Sequence, residues 1–107
     1  MSSKGIYSDA RNITKELVES GLQLKGEVTD ICLFQNMNTE NIVFDAYCNS
    51  DEVTRLIKFN PSSNKLIVGD AAFKNLNDDT IISATKRLFE IIDIHIDNVN
   101  LVRASAF

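Results

Sequence analysis

The chain has 107 residues, of which 44% are hydrophobic and 24% charged, and its formal net charge is −4. This length fits a single domain, expected over residues 1–107, and the composition is that of a globular protein. An acidic surface does not attract phosphates, so the charge argues against nucleic acid or an anionic membrane as partner. The sequence shows no apolar run of membrane-spanning length and no export signal, which predicts a cytoplasmic protein.

The first predicted element is a short amphipathic helix. Residues 1–7 are expected to form a loose lead-in, and Ser8 is a suitable N-cap residue. The apolar positions that follow at helical spacing are Ala10, Ile13, Leu17 and Val18. Gly21 is expected to end the helix in a left-handed conformation, with Leu22 packing back on the last turn.

Four strands are predicted next, as an antiparallel meander between Glu27 and Asp70. The clearest part is a hairpin in which two β-rich runs flank the turn sequence Pro61-Ser62-Ser63-Asn64. The expected pairs of this hairpin are Phe59 with Leu66, Ile57 with Val68 and Arg55 with Asp70.

Strict alternation divides the strand residues between two faces of the sheet. The first face, the expected core, holds Val28, Cys32, Phe34, Ile42, Phe44, Ala46, Cys48, Val53, Ile57, Phe59, Leu66 and Val68. The second face holds Ile31, Leu33, Val43, Tyr47, Leu56 and Ile67, with Asp45, Thr54 and Lys58 between them. A solvated face would be mostly polar, so this second face needs a cover. Either one helix packs on each face, or both pack on the first and leave the second to another protein or a second copy.

In the C-terminal part, the sequence predicts one helical turn at residues 71–73. A helix is predicted to follow, capped by Asn77, Asp78 or Asp79 and ending near Asn98. A short final strand is compatible with residues 100–107. The fold class is therefore α+β. Asp93, His95 and Asp97 would share a face only on a strand, and the preceding apolar stripe favours a helix, so no metal or cofactor is expected.

Acidic residues are concentrated in the predicted meander. No Lys or Arg lies between Gly26 and Glu52, whereas six acids do: Glu27, Asp30, Glu40, Asp45, Asp51 and Glu52. They are either solvated strand ends and turns or an acidic surface that steers a basic partner. Cys32 and Cys48 are predicted to be free thiols, because their strand positions lie too far apart for a disulfide.

No motif for phosphate binding, zinc binding or nucleophilic catalysis occurs, and no catalytic residue is assigned. We therefore expect a protein-binding module: an inhibitor, an immunity-type factor or a chaperone-like adaptor. The residues expected to make the contact are Ile31, Leu33, Glu40, Val43, Asp45, Tyr47, Asp51, Glu52 and Leu56. The alternative is a homodimeric ligand-binding domain or small enzyme with a pocket between sheet and helices, for which the candidates are Asp30, Cys32, Arg55 and His95.

Overall fold

A computed structural model of the chain describes residues 2–49 and 52–105. The elements are α1 (Ser2–Ser20), β1 (Val28–Gln35), β2 (Ile42–Cys48), β3 (Val53–Asn60), β4 (Lys65–Gly69), α2 (Asp70–Phe73), α3 (Asp78–Ile91) and β5 (Asn100–Ala104). This is the predicted α+β fold, including the helical turn at α2 and the final strand. The helix α1 already begins at Ser2, so the loose lead-in and the N-cap at Ser8 were wrong.

The strands form one five-stranded sheet in the order β1-β2-β3-β4-β5. The first four strands are the predicted antiparallel meander, and β5 lies parallel to β4. A parallel neighbour requires a long crossover connection, which the segment containing α3 supplies. None of the helices in the described ranges is both long enough and apolar enough to cross a bilayer.

The two long helices share one face of the sheet. Helix α1 packs on α3 and on β1, and a single core cluster joins Leu17 of α1 and Leu88 of α3 to Phe44 and Leu66 of the sheet. The rings of Phe59 on β3 and Phe89 on α3 lie 5.9 Å apart between centroids. Of the two ways to cover the sheet, the fold therefore adopts the one that leaves the second face without a helix.

A β-bulge in β1 changes which of its residues enter the core. Val28 pairs with Cys48 and Asp30 with Tyr47, so Thr29 is an extra residue. Beyond it, Ile31 and Leu33 point toward the helices, whereas Cys32 and Phe34 point away from them. The predicted faces of these four residues were therefore wrong, because a bulge shifts the alternation by one position.

A second bulge lies in β3 at Leu56. Phe44 pairs with Ile57 and Asp45 with Arg55, which leaves Leu56 between the two pairs and fully buried in the core. Its predicted place on the second face was wrong. The predicted Arg55–Asp70 pair was also wrong, because Arg55 lies opposite Asp45. The two hairpin pairs beyond the bulge, Ile57–Val68 and Phe59–Leu66, are confirmed.

The helix ends follow from local hydrogen bonds. Gly21 has φ 130°, and the Leu22 N–H donates to the Leu17 carbonyl at 2.8 Å, which confirms the predicted end of α1. At the start of α3, the Asn77 side chain accepts from the Thr80 N–H at 2.8 Å and is the cap.

Helix α3 ends earlier than predicted, at Ile91 and not near Asn98. Asp93 has φ 61°, its N–H donates to the Glu90 carbonyl, and the Ile94 N–H donates to the Phe89 carbonyl. This is the same Schellman motif as at Gly21, formed here by an aspartate. Residues 93–97 consequently lie on neither a helix nor a strand, so the expectation that a helix carries His95 was wrong.

Candidate functional site

The face of the sheet away from the helices is ordered in three rows across the strands. The first row takes one residue from each strand: Phe34, Val43, Lys58, Ile67 and Val102. The second row is Cys32, Asp45 and Arg55, and the third is Asp30, Tyr47 and Val53. These eleven residues define what we call the outer face. It is continuous because neighbours within a row are cross-strand partners.

Large apolar side chains of the outer face are open to solvent. The exposed fraction is 37% for Phe34, 38% for Tyr47 and 50% for Val53. Ile67 and Val102 are half-buried, and Val43, near the middle, is 4% exposed. An apolar patch of this extent is typical of a surface that contacts another molecule.

An ion pair lies in the second row, between the first and third rows. Arg55 Nε donates to Asp45 Oδ1 at 2.9 Å, and Arg55 Nη2 donates to Asp45 Oδ2 at 3.1 Å. The Asp45 side chain is 7% exposed and that of Arg55 41%. The hydrogen bonds to Asp45 raise the pKa of the Arg55 guanidinium above its ordinary value. The pair is therefore neutral as a unit, and both carboxylate oxygens have donors.

The same arginine still has donors to offer. Among the described side chains, those of residues 8–49 and 52–105, and the described backbone, no group accepts a hydrogen bond from Arg55 Nη1. A guanidinium presents its donors on more than one edge, so one edge can bind Asp45 while another binds an external oxygen. The outer face thus combines apolar contact area with one orienting polar group.

Cys32 lies beside this ion pair as a free thiol. Partial burial raises its pKa, and the charges of Asp45 and Asp30 raise it further, while Arg55 opposes them. The thiol is therefore protonated and weakly nucleophilic near neutral pH. Cys48 is free and buried, so the prediction of two unlinked cysteines is confirmed.

The predicted acidic residues do not form one surface. Glu40 lies in the turn between β1 and β2, with φ 63°. Glu52 lies at the opposite end of β2, before β3, where its carboxylate is 2.9 Å from Lys25 Nζ. Asp45 is neutralised by Arg55, and Asp51 lies outside the described residues. The structure therefore separates Glu40 from Glu52 by the length of a strand.

The predicted apolar contact residues divide in the same way. Val43 and Tyr47 lie on the outer face, but Ile31 and Leu56 are buried in the core, and Leu33 is half-buried against it. In their place, the outer face displays Cys32, Phe34 and Val53, which sequence reasoning assigned to the core. No residue in the sequence marks the bulges that cause this exchange.

Polar contacts on the edge strand β1 occupy backbone groups that a further strand would need for pairing. The Ile31 N–H donates to Asp30 Oδ1 at 2.8 Å, and Arg11 Nη2 lies 3.3 Å from the same carboxylate oxygen and 3.4 Å from the Thr29 carbonyl. Charged groups that occupy backbone donors and acceptors, together with a bulge, are known to block the addition of a further strand. The edge of β1 is thus blocked in part against pairing with a further strand.

Elsewhere, a groove of about 720 Å³ lies between α1 and residues 22–28. Val18, which is 43% exposed, lies on its wall with Leu24, Arg11 and Lys15. His95 lies in a shallow depression after α3, and no metal-binding cluster occurs in the described part of the chain. Asp30, Cys32 and Arg55 lie on the outer face, so the structure does not bring His95 to them.

Comparison with known proteins does not add a family to this picture. Neither a protein-family model, nor a curated protein, nor a solved structure matches the chain significantly.

Proposed function

We propose that this protein is a protein-binding module and that the outer face is its docking surface. The observation that carries the proposal is the first row, which crosses all five strands with four apolar residues and Lys58, on a face where none of the described helices packs. A broad sheet face suits the surface of another protein better than a small molecule, which needs a cleft to bury it.

The charges of the outer face indicate the chemistry of the partner. Asp30 and Asp45 contribute −2, and Arg55 and Lys58 contribute +2, so the outer face is neutral although the chain carries −4. A partner with an apolar surface and a carboxylate or carbonyl oxygen opposite Arg55 Nη1 fits these groups. A strongly basic partner, as the acidic run in the sequence suggested, does not match this neutral surface; it would contact only the sheet ends, at Glu40 or Glu52.

The role that we propose needs only a binding surface and no reactive group. An inhibitor, an immunity-type factor and a chaperone-like adaptor all act by occupying the surface of another protein. Cys32 is the one thiol among the eleven residues of the outer face, and its raised pKa is unfavourable for catalysis.

The test compares two matched substitutions of exposed valines. Val53→Asp places a charge on the outer face, and Val18→Asp places the same charge on α1, away from that face, at similar exposure. Proteins captured from native lysate by the wild-type chain should be quantified against both variants. We expect a stoichiometric partner that is lost with Val53→Asp and retained with Val18→Asp. Equal capture by all three chains would exclude the outer face as the docking surface.

The groove beside α1 supports a second candidate function, the binding of a small amphipathic ligand. Its wall combines Val18 and Leu24 with Arg11, Lys15 and the acid Glu27. Because Arg11 also contacts Asp30, Lys15 is the cation suited to the carboxylate of a molecule with an apolar body. Thermal-shift measurements with a medium-chain fatty acid test this candidate, because a ligand that binds the native state raises its melting temperature. Stabilisation that Lys15→Glu abolishes supports the groove; no stabilisation of the wild type removes this candidate.

A further inference from the structure

We infer that the free edge of β5 binds an extended segment of another protein, which adds to the sheet as a further strand. β5 is the outermost strand on the side opposite β1, and it pairs with β4 in unbroken register from Asn100 to Ala104. The inference goes beyond the proposed function, because the backbone edge of β5 is a surface separate from the outer face. Each surface can fail its test without the other.

A hydrogen bond at the start of β5 shows which of its backbone groups face the free edge. The Asn100 N–H donates to the Asn64 carbonyl at 2.9 Å, so it points toward the β4 side. In a parallel ladder, the N–H and C=O of one residue bond to the same neighbouring strand, and those of the next residue point the opposite way. Leu101 and Arg103 therefore direct two N–H and two C=O groups toward the free edge.

These four backbone groups have no partner in the described part of the chain. No described group outside the ladder forms a hydrogen bond with the backbone of Leu101 or Arg103. Among the described elements, β4 alone packs extensively along β5. Donors and acceptors that repeat about every 6.8 Å along a strand match the backbone of another extended chain. The partner that fits this edge is thus an extended segment, and not a helix or a small molecule.

β5 lacks the protection that the other edge of the sheet has. On β1, a bulge distorts the ladder and Asp30 occupies the Ile31 N–H. The one charged side chain of β5, Arg103, does not guard its edge, because its guanidinium is held on the helix side of the sheet. Arg103 Nη1 donates to the Phe73 carbonyl at 2.9 Å, and Nη2 donates to the Leu76 carbonyl at 2.7 Å.

The side chains of β5 indicate which segments fit best. Val102 lies on the outer face beside Ile67, and Leu101 is half-buried against the core on the other side. Alternate residues of an added strand would lie beside these two side chains, so apolar residues at successive positions are favoured. Because the chain carries a net charge of −4, we expect the segment to contain few acidic residues.

Selection from a displayed library of random short peptides tests the inference on three purified chains: the wild type, Leu101→Ala and Leu101→Pro. Both variants remove the packing of the leucine side chain, but only proline lacks the N–H that faces the free edge. Proline is tolerated at such a position because no ladder hydrogen bond is lost. We expect enriched apolar peptides that bind the wild type and Leu101→Ala. They should bind Leu101→Pro about tenfold more weakly or worse, since a hydrogen bond is lost and the ring blocks the edge.

Amide hydrogen exchange of the wild type keeps the test decisive if Leu101→Pro does not fold. In the dilute free chain, the amides of Leu101 and Arg103 should exchange faster than those of Val102 and Ala104, which bond to β4. A selected peptide in excess should slow the exchange of Leu101 and Arg103 by about tenfold or more.

Three results would overturn the inference. They are a library from which no peptide is enriched on the wild type, peptides that bind Leu101→Pro as tightly as Leu101→Ala, and amides of Leu101 and Arg103 that are already protected in the dilute free chain. Protection that rises with protein concentration in the absence of peptide would make a second copy the occupant and would also overturn the inference. None of these results affects the proposed function, because capture by the outer face is measured separately with Val53→Asp.

Discussion

Removing Arg55 tests how strongly the ion pair holds the outer face together. In Arg55→Met the aliphatic part of the side chain remains, but the Asp45 carboxylate, 7% exposed, loses both hydrogen bonds. Removing one partner of a fully buried pair costs about 3–5 kcal/mol. Because the Arg55 side chain is 41% exposed, water screens part of this pair, and we expect a loss of about 2 kcal/mol in the free energy of unfolding.

Urea unfolding followed by circular dichroism near neutral pH measures this loss, which corresponds to a fall of about 10 °C in melting temperature for a domain of this size. The matched control is Lys25→Met, which breaks the exposed pair with Glu52 and should leave the urea midpoint unchanged. The double variant Asp45→Leu/Arg55→Met should regain most of the lost stability, since it leaves no unpaired charge. A loss below about 0.5 kcal/mol in Arg55→Met would show that Asp45 is well solvated and would refute the reasoning.

Three further predictions follow from local geometry. Asp93→Gly should raise the free energy of unfolding by about 0.5–1 kcal/mol in urea titrations, because glycine adopts φ 61° without strain; Asp93→Ala, which removes the carboxylate but keeps a Cβ, should not. Asn77→Ala should lower the same quantity by about 1 kcal/mol through loss of the α3 cap, and an unchanged midpoint would contradict the capping role. Since the pKa of Cys32 is raised, its alkylation by iodoacetamide should accelerate only at a pH above the range usual for cysteine. Arg55→Met should slow the reaction further, and a faster rate than in the wild type would contradict this assignment of charges.

The parts of the fold that could be predicted are those with a local chemical signal. The turn at residues 61–64 fixed the pairing of Phe59 with Leu66, and Gly21 fixed the end of α1. The end of α3 has no such glycine. Its left-handed residue is Asp93, a residue type that enters this conformation less often, so the apolar stripe alone suggested a longer helix.

The composition of the outer face could not be predicted, because β1 is apolar on both sides. In this strand, either Ile31 and Leu33 or Cys32 and Phe34 could enter the core. Hydrophobicity alone therefore does not determine which side chains of β1 face inward. The bulge at Thr29 determines which residues of β1 face inward, and the bulge at Leu56 does the same for β3. Both depend on pairing with β2 and not on any local sequence preference.

The two bulges also differ in how they tolerate a change in chain length. Deleting Thr29 would leave Val28 facing inward, Asp30 outward and Ile31 inward, which is regular alternation. All remaining side chains of β1 would stay on the side of the sheet where they lie now. Deleting Leu56 would equally regularise β3 but would remove a fully buried side chain. A one-residue deletion at any other position of β1 inverts the faces of the residues on one side of it. Thr29 is thus the position at which natural or engineered variants can shorten this strand and still display the same outer face.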